Sequence, residues 1–191
     1  MGRTEFDQEW GFMRQSRSEL EADGWAFALH IYAQPGIADV CLRLQDEAGV
    51  DVMMFLMTGF AAVRHCVLLT PAEIRELDEV CRPWREQIVQ PLRALRTRLK
   101  TGPLPAPNTA TEPFRSTIKA AELAAERLQN QLLAERLPLR SPEHDTLASE
   151  DLRSVLCSVV SLALEKRPGK PISDLLSSID TIVDAAMQDA R

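Results

Sequence analysis

Residues Val52–Val63, VMMFLMTGFAAV, form a run of a dozen residues with no charge and a single hydroxyl. A helix of that composition has no polar face and has to be covered on nearly all sides. It gives way to Arg64–His65 well short of the ~20 apolar residues that a membrane span requires. The expectation is therefore a hub helix over about residues 52–66, in the middle of a compact all-α bundle. Asp51 is placed to cap its free amides and meet the positive end of its dipole. Gly59 gives up about 1 kcal/mol of helix propensity, which leads us to expect another backbone crossing closely there. Met53, Met54 and Met57 read as gap-filling core rather than a cofactor pocket.

Working outward, Trp25, Leu29 and Tyr32 recur at helical spacing after Asp23, a candidate cap, and Gln34-Pro35-Gly36 stops that helix. Ile37, Val40, Cys41, Leu44 and Ala48 form one stripe opposite Asp39, Arg43, Asp46 and Glu47, closed by Gly49 as a left-handed cap. Thr70-Pro71-Ala72-Glu73 is a capping box with proline at the first helical position. It opens a helix that turns Ile74, Leu77 and Cys81 inward. Pro83 restarts the helix, and Trp84, Ile88, Leu92, Leu95 and Leu99 continue by threes and fours through Lys100. Pro91 predicts a kink or a new start inside that stripe. Residues 101–113, TGPLPAPNTATEP, read as a proline-rich surface loop. From Ser116 the pattern resumes with Ile118, Ala121, Ala125, Leu128 and Leu132. Helices over Asp151–Lys166 and Ile172–Gln188 complete a two-helix C-terminal extension at 149–190. Residues 1–20, polar with scattered Phe6, Trp10, Phe12 and Met13, are set apart as an N-terminal arm, and 21–191 as one helical domain.

The chain of 191 residues carries a net charge of −6, with 45% hydrophobic and 26% charged residues. That balance argues against a general nucleic-acid or membrane-surface binder unless positive charge is gathered locally. Cys41, Cys66, Cys81 and Cys157 form no Cys-x-x-Cys pair, and no histidine stands at zinc-site spacing, so buried thiols in a reducing compartment are expected. The N-terminal MGRTEFDQEWGFMRQ lacks the apolar core of a signal peptide, which makes the cytoplasm the expected location. No membrane association is expected, and homo-oligomerisation is left open.

Several phrases together resemble a known family. They are Trp25 to Tyr32 followed by Ala33-Gln34-Pro35-Gly36, Cys41-Leu42-Arg43-Leu44-Gln45-Asp46, and Gly49-Val50-Asp51-Val52. Further on come Trp84-Arg85, Pro91-Leu92-Arg93-Ala94-Leu95-Arg96, Leu99-Lys100 and Ala121-Glu122-Leu123-Ala124-Ala125-Glu126. In these the chain is similar to short proteobacterial conserved hypothetical proteins, a domain of unknown function, over about residues 22–137. The resemblance implies a small helical cytoplasmic protein of bacterial type and brings no activity with it. It also implies asparagine after Asp-Val, where this chain has Met53.

Two constellations could carry function. Over Arg82–Lys100 six cations face one acid, Glu86, giving a local +5 inside an acidic chain. On a continuous helix Arg82, Arg85, Arg93, Arg96 and Lys100 fall within an arc of about 80°, an anion-facing strip suited to RNA phosphates or an acidic protein surface. The competing reading pairs this strip internally with Glu122 and Glu126. The second constellation is Asp46, Asp51, Glu122 and Glu126, whose convergence would suit a helical-bundle enzyme or a metal-binding protein. It lacks Glu-x-x-His, and His30, His65 and His144 are scattered. No phosphate-cradling glycine loop occurs. The sequence thus favours a non-enzymatic interaction module with an anionic partner, and it names no catalytic residue, metal ligand or cofactor.

Overall fold

The computed structural model describes residues 5–141, 146–167 and 171–189, with side chains from residue 17 onward. It is helical throughout: α1 (Glu5–Tyr32), α2 (Ile37–Ala48), α3 (Val52–His65), α4 (Pro71–Trp84), α5 (Gln90–Arg98), α6 (Glu112–Arg136), α7 (Ser149–Glu165) and α8 (Leu176–Asp189). A π-turn (Arg85–Val89) joins α4 to α5, and a 3-10 turn (Ile172–Leu175) leads into α8. No strand occurs among the described residues. None of these helices is long and apolar enough to cross a membrane.

α3 is the hub. Met54 through Ala62 are buried without interruption, and α1, α6, α7 and α8 pack around them. Its ends are fixed locally: Asp51 Oδ1 accepts the Met54 amide at 3.1 Å, and Cys66 closes the helix in the left-handed region with φ 50°. Gly59 does not mark a backbone crossing. A Cβ there would meet Leu156 and Phe27 side chains at 3.9 Å, ordinary van der Waals contact. The close approach lies instead at Gly24 of α1, where a Cβ would stand 2.6 Å from Met57 Sδ.

That approach explains how α1 is turned. Gly24, Phe27, Ala28 and Ile31 face α3, with Phe27 and Phe60 rings 5.7 Å apart, while Leu29 and Tyr32 are exposed. The expected stripe Trp25–Leu29–Tyr32 is therefore not the core face, because the small residues one position away admit closer packing. Nor does Asp23 start a helix, since α1 runs unbroken from Glu5, through the stretch set apart as an arm. The other local signals are realised: the Thr70–Glu73 capping box, and Gly49 as a left-handed cap of α2 with φ 73°. α4 passes through Pro83, and α6 starts at Glu112, four residues before the expected Ser116. α7 and α8 add Leu152, Leu156, Val160, Ile179 and Ile182 to the same core cluster as Phe27 and Phe60. Cys41 and Cys81 are buried, whereas Cys66 and Cys157 are half-buried, and all four are free thiols.

Candidate functional site

The five cations of the sequence-derived strip sit on both sides of the π-turn. Proline at position 91 has no amide proton and would clash with the preceding turn of a regular helix. The chain opens before it, so that the Gln90 amide reaches the Arg85 carbonyl, five residues back. One extra residue per turn rotates everything beyond it by about 100° relative to a continuous helix. The strip is broken in two as a result.

On the near side Arg85 is drawn inward, its side chain 11% exposed, between two buried carboxylates. Its Nη1 donates to Asp51 Oδ2 at 3.0 Å and its Nη2 to Asp78 Oδ1 at 2.9 Å. Burial works against the guanidinium charge, but Asp51 and Asp78 outweigh it and hold its pKa above the usual range. Asp78 also accepts from Arg82 at 3.1 Å and from Lys166 of the α7 end at 2.5 Å. Burial raises the Asp78 pKa, and these three cations more than reverse that, leaving it below the ordinary value. Asp51, besides capping α3, accepts from Gln129 of α6 at 2.5 Å.

On the far side Arg93 donates to Glu122 at 2.8 Å and also to Glu126 and Gln45, and Arg96 is held by Glu122. Glu122 is pulled below the ordinary carboxylate range by both arginines despite its burial. Glu126 is raised, because burial and the neighbouring Glu122 outweigh Arg93. Trp84 Nε1 donates to the Ala125 carbonyl at 2.9 Å and fixes α4 to α6 beside this cluster. Four of the five strip cations are therefore engaged with carboxylates inside the fold. Lys100 is exposed, with no ion pair among the described residues. The four acids do not gather into one ligand set: Asp46 is exposed, and Asp51, Glu122 and Glu126 each accept from an arginine. Cys41 and Cys81, their thiols pushed up to about 12 by burial, are poor nucleophiles.

What remains outward is a hairpin. α5 contains no buried residue, burial in α6 begins only at Glu122, and between them Ala106 is the one buried residue, so the stretch 90–121 is largely exposed and is tied to the rest of the fold through Arg93 and Arg96. It carries Arg93, Arg96, Arg98, Lys100, Arg115 and Lys119 against the single acid Glu112, a net +5. Arg98, Lys100 and Lys119 have no ion-pair partner among the described residues. Leu95 and Phe114 are exposed, and Leu104 is 93% exposed. At its tip Asn108 and Thr111 brace each other, Thr111 N–H on Asn108 Oδ1 at 2.8 Å and Asn108 N–H on Thr111 Oγ1 at 3.0 Å.

The chain belongs to the DUF2390 family. The match, to a family described as a protein of unknown function, runs over residues 23–133. The DUF2390 segment holds α2 to α5, most of α6, the buried carboxylates Asp51, Asp78 and Glu122 and the half-buried Glu126, whereas Lys166 comes from the helices beyond it. Comparison with curated proteins finds no match, and neither does comparison with solved structures.

One further cleft, of about 460 Å³, was not foreseen from the sequence. Asp23, Phe27 and His30 of α1, Phe60, Arg64 and His65 of α3, and Asp189 of α8 line it. Arg64 donates to Asp189 at 2.5 Å, and His30 Nε2 lies 3.3 Å from the same carboxylate. The His65 pKa is lowered by burial, against the pull of Asp23. Nothing in the spacing of 23, 30, 65 and 189 signals that they meet.

Proposed function

We propose that this protein is a non-enzymatic helical interaction module, cytoplasmic in setting, whose basic α5–α6 hairpin docks on an acidic protein surface. One observation carries the reading: Arg98, Lys100 and Lys119, exposed and without an ion-pair partner among the described residues, stand together on a hairpin whose α5 has no buried residue, in a chain of net −6. Cations concentrated on a protruding element steer an anionic partner and set its orientation. Leu95, Leu104 and Phe114, exposed among those cations, favour a protein surface over RNA, since apolar anchors dominate protein interfaces. The anionic-partner reading thus passes from Arg82, Arg85, Arg93 and Arg96, which serve the fold, to Lys100 with Arg98 and Lys119. The enzyme reading weakens, because three of its four acids, Asp51, Glu122 and Glu126, are paired with arginines and Asp46 lies apart on the surface.

The test is the triple variant R98E/K100E/K119E, expressed in the native cells beside wild type. Exposed charges contribute little to stability, so melting should stay within a few degrees of wild type. Proteins retained by the wild type through an acidic surface should be lost from the variant, and nuclease should leave the wild-type complex intact. Undiminished retention by the variant, or loss on nuclease treatment, would overturn the proposal.

A further inference from the structure

We infer that a cleft between the DUF2390 segment and the end of α7 binds a small carboxylate with a short aliphatic tail. The cleft encloses about 220 Å³, less than the pockets that hold drug-sized molecules. One wall is apolar, made of Met54, Val159, Leu162 and Ala163. The polar floor is Asp51, Arg85 and Asp78, and Lys166 and Arg167 also line the cleft where α7 ends.

Accounting for donors and acceptors selects the ligand. Asp51 Oδ1 accepts the Met54 amide, and its Oδ2 accepts from Arg85 and Gln129. Asp78 Oδ1 accepts from Arg85, and its Oδ2 from Arg82 and Lys166. All four oxygens of the buried acids are therefore engaged. Lys166 uses one of its three N–H donors within the fold, on Asp78, and Arg167 uses Nη1 on the Asp46 carbonyl. Gly49 leaves room for Arg167 to lie against the end of α2, since a Cβ there would stand 2.8 Å from its Nε. Gln90, also in the lining, offers an acceptor as well as donors, so apart from it and Glu86 the open hydrogen-bonding capacity is of donor type, matched by a carboxylate, and guanidinium offers that group a planar fork. Glu86, 52% exposed and 4.0 Å from Arg85, is the acid on the rim. Inorganic phosphate would satisfy the donors but leave the apolar wall unused, which is why the tail belongs to the inference.

The experiment titrates the full chain with hexanoate and, separately, with inorganic phosphate at constant ionic strength, following backbone amide shifts and melting temperature. Hexanoate should bind saturably, with the largest shifts at Gly49, Ala163, Lys166 and Arg167, and phosphate should bind at least tenfold more weakly. K166Q and R167Q should each weaken hexanoate at least tenfold, and E86Q should tighten it. K166Q also removes a partner of Asp78, so R167Q, which touches no buried carboxylate, keeps the test independent of folding. Absence of saturable hexanoate binding, equal responses to both anions, or an R167Q variant that binds like wild type would overturn the inference.

Discussion

Replacing Arg85 by methionine probes the bridge on which α3, α4 and the π-turn converge. Methionine keeps much of the length and apolar stem of arginine but removes the guanidinium between Asp51 and Asp78, whose side chains are 6% and 5% exposed. Breaking a buried ion pair by removing one partner costs about 3–5 kcal/mol, because the charge left behind is neither hydrated nor neutralised. Here both acids retain help, Asp51 from Gln129 and the Met54 amide, Asp78 from Arg82 and Lys166. The lower end, about 3 kcal/mol, is therefore expected, equivalent to roughly 6–12 °C in Tm for a chain of this size. Adding Asp51→Asn should recover about 1–2 kcal/mol, since asparagine can still cap α3 and still accept from Gln129, and no orphaned charge remains at that position. Urea unfolding at neutral pH, followed by circular dichroism, gives both numbers. An R85M protein within about 1 kcal/mol of wild type, with no gain on adding D51N, would refute the reasoning that Arg85 neutralises these acids.

Further outcomes follow from the same geometry. Gly59→Ala should stabilise by about 0.5–1 kcal/mol, since the position is helical with nothing closer than 3.9 Å, and a lower Tm would mean that the hub has no room there. Leu56→Asp should lose several kcal/mol and most soluble expression, because the side chain is buried in apolar surroundings; wild-type melting would contradict the hub. R93E/R96E should unfold the hairpin from the core, whereas R98E/K100E/K119E should not; equal melting of the two variants would show that Glu122 and Glu126 do not depend on their arginines. Asp78 and Glu122, both depressed, contribute stability that is present above about pH 4 and lost as pH falls through their lower folded values. Raised Glu126 acts oppositely, contributing fully below about pH 4 and less as pH rises through its folded value. Glu73, held down despite some burial by its hydrogen bonds to Thr70 and Arg140, and the exposed Glu112 and Glu165, held down by Arg115 and Arg75, act in the same sense as Asp78 and Glu122. Urea midpoints should therefore drop below pH 4, and Asp78→Asn should flatten that drop.

How much of this was legible in the sequence depends on whether an element hides apolar or polar residues. α3 was readable because nothing in Val52–Val63 could face water, and its ends were readable because Asp51 and the Thr70–Glu73 box act through their own neighbours. α1 was misread at the level of its face. Trp25, Leu29 and Tyr32 are larger and more apolar than Gly24 and Ala28, yet small residues win the core side by letting Met57 approach. The basic strip was misplaced because projecting residues at a uniform angle ignores the π-turn that Pro91 induces, and one inserted residue is enough to divide it.

α6 shows the deeper reason. Its apolar spacing pointed to Ala125, Leu128 and Leu132, but the residues it buries are Glu122, Ala125, Gln129, Asn130, Leu133 and Ala134, with Leu123 and Leu128 exposed. A helix that buries glutamate and glutamine while exposing leucine has the inverse of the usual pattern. It is stable here because α5 delivers Arg93 and Arg96 to Glu122 and Glu126, and Arg85 of the π-turn meets Gln129 on Asp51. Arg93 and Arg96 are paired with the acids of α6, and α5 buries no residue of its own. The exposed end of the hairpin is what the internal pairing does not use. Arg98, Lys100 and Lys119, which have no structural partner among the described residues, are therefore the cations on which a docking function can act without cost to the fold.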